Sequence, residues 1–290
     1  MSTELSMPEQ SRAAGARAGG ETASAATPNP SSLTRVLSIA RNTFREAVRD
    51  RVLYNLVLFV LILTGAAVFL GELSAAQEAK IIVDVGLSAA LMFGVFISIF
   101  VGVGLVYKET ERRTIYAIFS KPVGRGEFLL GKYLGLCLTL AVNVAVMGAG
   151  VSLALLYVRG GWSPAVAGIW PAVALIYVEL AIVVAVALLF SSFSSPALSA
   201  LLTFFVFVIG HFSTDLKALS ASSGSLVSRA LFGALYYLLP NFSNYSYITA
   251  AAHGRAPTAE AFLAACLYGV AYVAVLLAAA TLVFKRRNFK

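Results

Sequence analysis

The chain has 290 residues, 59% hydrophobic and 12% charged, with a formal net charge of +8 and a mean hydropathy of +0.83. The charged fraction is about half that of a soluble domain, which excludes a soluble globular protein. Several apolar runs exceed the roughly 18–20 residues a helix needs to cross a bilayer, and their continuity excludes the alternating pattern of a membrane β-barrel.

The reading is therefore an all-α, polytopic membrane protein. Residues 1–32 are rich in Ala, Ser, Gly, Glu and Pro and carry no apolar stretch of signal-peptide type, so they read as a disordered cytoplasmic tail. Residues 33–290 form the membrane domain. In the run SLTRVLSIARNTFREAVRDRV (32–52), Val36, Ala40, Phe44, Ala47 and Val48 share one helical face, and Arg41, Arg45 and Arg49 share another. A basic amphipathic helix placed just before a span is expected to lie in the membrane interface or against a neighbouring subunit.

Six spans follow, at about 52–70, 85–107, 128–157, 169–190, 197–212 and 262–284. The fifth is the shortest and is expected to be tilted or broken. Between spans five and six, Leu226–Leu239 (LVSRALFGALYYLL) is too short to span and ends in tyrosines, the pattern of a short re-entrant or interfacial helix. Pro240 stops it. The Asn-x-Ser triplets at Asn241 and Asn244 are too short a pattern to carry a glycosylation assignment.

Seven Lys and Arg residues precede span one, six lie between Lys108 and Lys132, and four follow span six, so 17 of the 22 fall on one side. The positive-inside rule places both termini and the 108–132 loop in the cytoplasm, hence a multi-pass protein of the plasma (inner) membrane. The positive charge is explained by topology and by anionic lipid, the expected contact of this surface. Nucleic-acid binding is not called for.

The most informative segment is that loop, KETERRTIYAIFSKPVGRGEFLLGK (108–132). Glu109, Glu111, Arg112 and Arg113 are expected to begin a short helix with Ile115, Ile118 and Phe119 as a small apolar face, ended by Pro122. An apolar knob among charges suits docking into a groove of a soluble partner; the plain alternative is a basic loop that serves orientation alone. Gly126, Gly131 and Lys132 have the spacing of a phosphate-binding loop, but Tyr133 stands where Ser or Thr should hold magnesium, and a span follows. The chain is therefore read as having no ATPase site, no catalytic residues, no bound metal and no cofactor of its own.

Glu179 lies near the middle of span four. A carboxylate there is costly unless paired, protonated or facing water, which marks either a translocation path or a packing interface. A proton relay would need further such groups, and His211 and Asp215, near the outer end of span five, are the candidates. Asn143 in span three is expected to bond between helices. Cys137 and Cys266 each fall inside an apolar run and read as small packed residues.

Three stretches, IARNTFREAVRDRVLYNLVLF (39–59), GLVYKETERRTIYAIFSKPVGRGEFLLGKYLG (104–135) and LLPNFSNYS (238–246), carry a resemblance to permease subunits of ABC-2-type exporters. They are most similar to the branch associated with multicopper-enzyme maturation and nitrous-oxide-reductase assembly. The resemblance runs from about residue 33 to the C-terminus and is most specific from Glu111 to Lys132. It implies six transmembrane helices, an amphipathic helix before the first, and re-entrant helices between the last two. It also implies that the 108–121 region is a coupling helix seated in a separate ATPase subunit, which supplies ATP and Mg. Two permeases, identical or different, would work with two ATPases. Glu109, Glu111, Arg112, Arg113, Ile115 and Phe119 are then the coupling contacts. The alternatives are a scaffold or regulatory subunit that transports nothing, and an ion-coupled carrier using Glu179. A carrier is expected to show an internal repeat, and none is evident. The spans favour a hydrophobic or amphipathic cargo.

Overall fold

The structure is a computed structural model that describes residues 31–47, 58, 59, 62, 65, 66, 69, 77–111, 124–222 and 225–286, with the backbone alone at 105–111, 125 and 284–286. The tail expected over 1–32 and the first expected span, 52–70, therefore lie outside the described residues but for Ser31, Ser32 and scattered positions of the span. The elements are α1 (Ser32–Ala47), α2 (Glu78–Glu111), α3 (Arg125–Arg159), α4 (Pro164–Gly168), α5 (Trp170–Ser191), α6 (Pro196–His211), α7 (Ser213–Ser222), α8 (Leu226–Leu238), a 3₁₀ turn (Phe242–Tyr245), α9 (Ile248–Ala252) and α10 (Ala259–Arg286). Residues from Ser32 onward form one compact unit, and no strand occurs among the described residues.

Among the described residues, four stretches are long and apolar enough to cross a membrane: within α2, within α3, across α4 and α5, and within α10. The pair α6–α7, bent by 65°, adds a fifth when taken as one broken span. Proline opens several of these helices, with Pro164 and Pro196 at the first position and Pro171 in the first turn of α5. Proline fits there because the first-turn N–H groups have no intrahelical partner to lose.

Helix α5 is apolar on every side, and a helix of that kind must be surrounded. It is buried almost continuously from Ala172 to Leu188 and packs against α2, α3, α6 and α10. By contrast, 11% of the apolar window of α10 is covered by the rest of the chain, against 72% for the α4–α5 span, so α10 is peripheral and α5 central. Phe59, fully buried, sets its ring edge-on to Phe93 of α2 with centroids 5.8 Å apart. This is one described contact of the first expected span with the bundle.

The structure differs from the expectations at several places. The expected coupling helix does not begin at Glu109: the helix of span two runs on unbroken through Glu111. The buried face of α1 is Val36, Ala40, Thr43 and Ala47, with Thr43 in place of Phe44, which is half-buried. Phe44 is too large for the close helix contact described below. Span five ends at His211 and turns sharply into α7, a helix that no apolar period announces in its sequence STDLKALSAS. The expected helix at 226–239 is present as α8 with no residue buried. It packs against α7, where Ser220 Oγ donates to Arg229 O at 3.1 Å and Lys217 Nζ lies 5.6 Å from the Tyr236 ring centre.

Candidate functional site

Two places gather the residues singled out above. The first is the start of α3, directly after the 112–123 segment. Arg112, Arg113, Ile115 and Phe119 lie outside the described residues, and Glu109 and Glu111 are described by backbone alone, in the last turn of α2. What is described is the anchor beyond them. Glu127 Oε2 accepts from the Gly124 N–H at 3.2 Å, closing the first turn of α3 in the manner of a capping Glu at the third position. Its Oε1 lies 3.4 Å from Arg35 Nη2 of α1.

Below that ion pair, α1 and α3 touch backbone to backbone. A methyl at Gly131 would stand 2.7 Å from Ile39 Cβ and 3.0 Å from the Val36 carbonyl oxygen. One at Gly135 would stand 2.6 Å from both the Ala40 carbonyl oxygen and Thr43 Cβ. Only glycine permits that approach, and a pair of small residues four apart is the usual means of close helix packing in membranes. The glycine and lysine spacing that mimics a phosphate loop thus lies in the first turns of a helix, where Gly131 serves packing. The sequence reading missed this site. The Gly131–Gly135 spacing was the signal that identifies it.

The second place lies around Glu179, the tenth residue of the 22 in α5. Glu179 is 1% exposed. Its Oε1 makes no aligned hydrogen bond, and the His211 Nε2 stands 3.4 Å away. His211 ends α6, and its Nδ1 lies 3.3 Å from the Phe207 carbonyl oxygen. The imidazole is wedged between aromatic rings, with Phe207 at 4.6 Å and Phe242 at 5.7 Å between centres.

At 16 residues, α6 is about 24 Å long, short of the roughly 30 Å of a bilayer's hydrocarbon core. That shortness brings the break in span five down to the level of Glu179. The gap is filled by the chain from Pro240 to Tyr245. A methyl at Gly210 would come within 2.6 Å of the Pro240 carbonyl oxygen and 2.5 Å of the Phe242 ring. Ser243 Oγ donates to the His211 carbonyl at 3.2 Å, and Tyr245 donates to the Ala265 carbonyl of α10 at 2.9 Å.

The structure thus brings Glu179 and His211 together but not Asp215, which is exposed on α7. Asn143 does not bond between helices. Its Nδ2 donates to the Thr139 carbonyl of its own helix at 2.7 Å, because that acceptor is within reach one turn back. Lys80 and Asp84 of α2 line an open cavity with Gln77, Thr249 and His253. Among the described residues, no three His, Cys, Asp or Glu residues gather as a metal-binding group.

Comparison with known proteins gives these features a family. The chain is 28% identical over 130 residues to the probable ABC transporter permease protein NosY of Stutzerimonas stutzeri, covering 43% of this chain and 47% of that protein. It is 31% identical over 126 residues to the protein of the same description from Pseudomonas aeruginosa, covering 42% and 46%. The chain thus matches about half the length of these curated relatives. Residues 37–289, which include every described helix from α2 to α10 and most of α1, match the ABC-2 family transporter protein family. A multi-pass bundle of apolar helices with this match belongs to the ABC-2 transporter family.

Proposed function

We propose that this chain is the permease subunit of an ABC exporter and works with a separate ATPase subunit. The observation that carries the reading is the family match from 37 to 289, continuous through the bundle and the loop at 112–123. In this reading the domain has six spans. α1 lies at the cytoplasmic membrane surface, both termini are cytoplasmic, and two permease copies, identical or different, pair with two ATPases in the inner membrane. Lipid is the other partner, and the ATP and Mg belong to the ATPase.

The coupling contacts are Glu109, Glu111, Arg112, Arg113, Ile115 and Phe119. ATP binding closes the ATPase dimer and moves this segment, and spans one, two and five shift in response. The ATPase must hold two states of the permease with different affinity, since otherwise nothing is transmitted. The α1–α3 contact supports the lever: a push on the loop passes directly into α3 and, through Arg35–Glu127 and the two glycines, into α1. Glu179 and His211 sit where span five meets span four and serve as an interface between moving helices. Asp215 is a candidate for the outer mouth of the path.

The test is co-purification in mild detergent with the ATPase encoded nearest this gene, with ATP hydrolysis measured with and without the chain. A stable complex with altered hydrolysis is the expected result. A complex whose hydrolysis never responds to the chain fits a scaffold, and an isolated chain that transports without an ATPase fits a carrier. Reversing charge at Arg112 and Arg113 together is expected to abolish the stimulation of hydrolysis while leaving the protein in the membrane at normal level. Normal stimulation in that variant removes these residues from the coupling contact.

A further inference from the structure

We propose that Glu179 and His211 hold a single proton between them, as a net-neutral proton-binding site inside the bundle, and that this proton latches the 240–245 segment over the break in span five.

The proton count follows from the geometry. A carbonyl oxygen can only accept, so the His211 Nδ1 that faces the Phe207 carbonyl at 3.3 Å carries a hydrogen. The Nε2 then faces Glu179 Oε1 at 3.4 Å. With no proton between them, a bare lone pair confronts a bare carboxylate that is 1% exposed and has no other aligned partner on that oxygen. With one proton the pair is either imidazole with carboxylic acid or imidazolium with carboxylate, and both are neutral overall. With two, an uncompensated positive charge is left inside the membrane. Charge is disfavoured there in either sense, so the one-proton state is the stable one.

Among the described residues, the other ionisable groups near the pair are phenols and a thiol. From the 3₁₀ turn comes Tyr245, whose hydroxyl is committed to the Ala265 carbonyl. From α10 come Cys266 and Tyr268; the Tyr268 hydroxyl accepts from the Asn241 N–H at 2.9 Å. Asp215 and Lys217 are exposed on α7, beyond the break.

The latch follows from what rests on His211. Phe242 is fully buried beside the imidazole, Ser243 donates to the His211 carbonyl, and Gly210 admits the Pro240 carbonyl. The 240–245 segment can seat only when the imidazole is held in place, and the shared proton is what holds it to α5. Adding or removing a proton charges the pair and frees the segment. The inference concerns the pair and the segment alone and stands whether or not an ATPase drives the chain.

The experiment uses the full chain in lipid bilayers. The chain has two histidines, and replacing exposed His253 with Ala leaves His211 alone in a spectrum of nitrogen-labelled histidine. One hydrogen fixed on Nδ1, with Nε2 in a hydrogen bond and the signal unchanged from about pH 5 to 8, is expected. A His211 signal that titrates near the ordinary value of about 6.5 overturns the shared proton. Hydrogen–deuterium exchange over 238–247 tests the latch. Glu179→Ala and His211→Ala are each expected to speed exchange about tenfold, the double variant no further than either single one, and Glu179→Gln, which offers Nε2 a fixed N–H, to stay slow. Singles without effect, or effects that multiply in the double variant, overturn it.

Discussion

Gly135 illustrates how much a single residue decides here. Its missing side chain lets the carbonyl of Ala40 and the β-carbon of Thr43 approach to 2.6 Å of where a methyl would be. Backbone cannot retreat as a flexible side chain can, so Gly135→Val is expected to separate α1 from α3. An overpacked site of this kind loses about 1–3 kcal/mol, read as a lower Tm of the detergent-solubilised protein. An unchanged Tm, with Arg35 still protected by Glu127 from chemical modification, would show that α1 is held by other contacts. The ion pair above it contributes less, because Arg35 and Glu127 are partly exposed and solvent screens such pairs. Glu179 was conspicuous in the sequence, since a carboxylate in an apolar run stands out by itself. That His211 stands beside it, and Asp215 does not, needed the position of the break after α6.

At the level of elements, the broken span is the feature that organises the far end of the bundle. Its shortness was legible: sixteen apolar residues do not cross a bilayer, and Phe212 ends the run. The 65° turn into α7 and the insertion of residues 240–245 beneath it were not legible. They depend on Gly210 and on the gap left by a short helix, and neither is a periodicity. Gly210→Val is therefore expected to expel the Pro240–Tyr245 segment while leaving α5 and α10 intact. Proteolysis between 238 and 247 would become faster, with the helical circular dichroism signal unchanged. Equal proteolysis of the variant and the parent would show that the segment finds another seat. α8 packs against α7 with none of its residues fully buried and Leu226, Val227, Leu231 and Leu238 exposed, the pattern of a helix that meets lipid or its headgroups on that face.

For the molecule as a whole, the charge map makes the boldest statement. The six-span reading puts 17 of the 22 basic residues on one side, and on that reading a single cysteine placed at Ser225 is expected to react with an impermeant reagent on intact cells. One placed at Ser32 should react only after permeabilisation. The reverse pattern would invert the topology and remove the 108–132 loop from the cytoplasm. Family membership adds what charge cannot. The match over 37–289 ties that loop to a transporter family, and the coupling assignment rests on that tie together with the α1–α3 anchor.

The sequence by itself determined the class, an all-α chain with several helices long and apolar enough to cross a membrane, and the position of a carboxylate within one of them. Each of these is a local sum of hydropathy or charge along the chain, and a bilayer reads such sums directly. The tertiary structure alone decided that α1 lies against Gly131 and Gly135, that His211 and not Asp215 meets Glu179, and that Pro240–Tyr245 fills the break in span five. Those outcomes depend on which backbones can approach one another in three dimensions, and shape complementarity between helices leaves no period in the sequence.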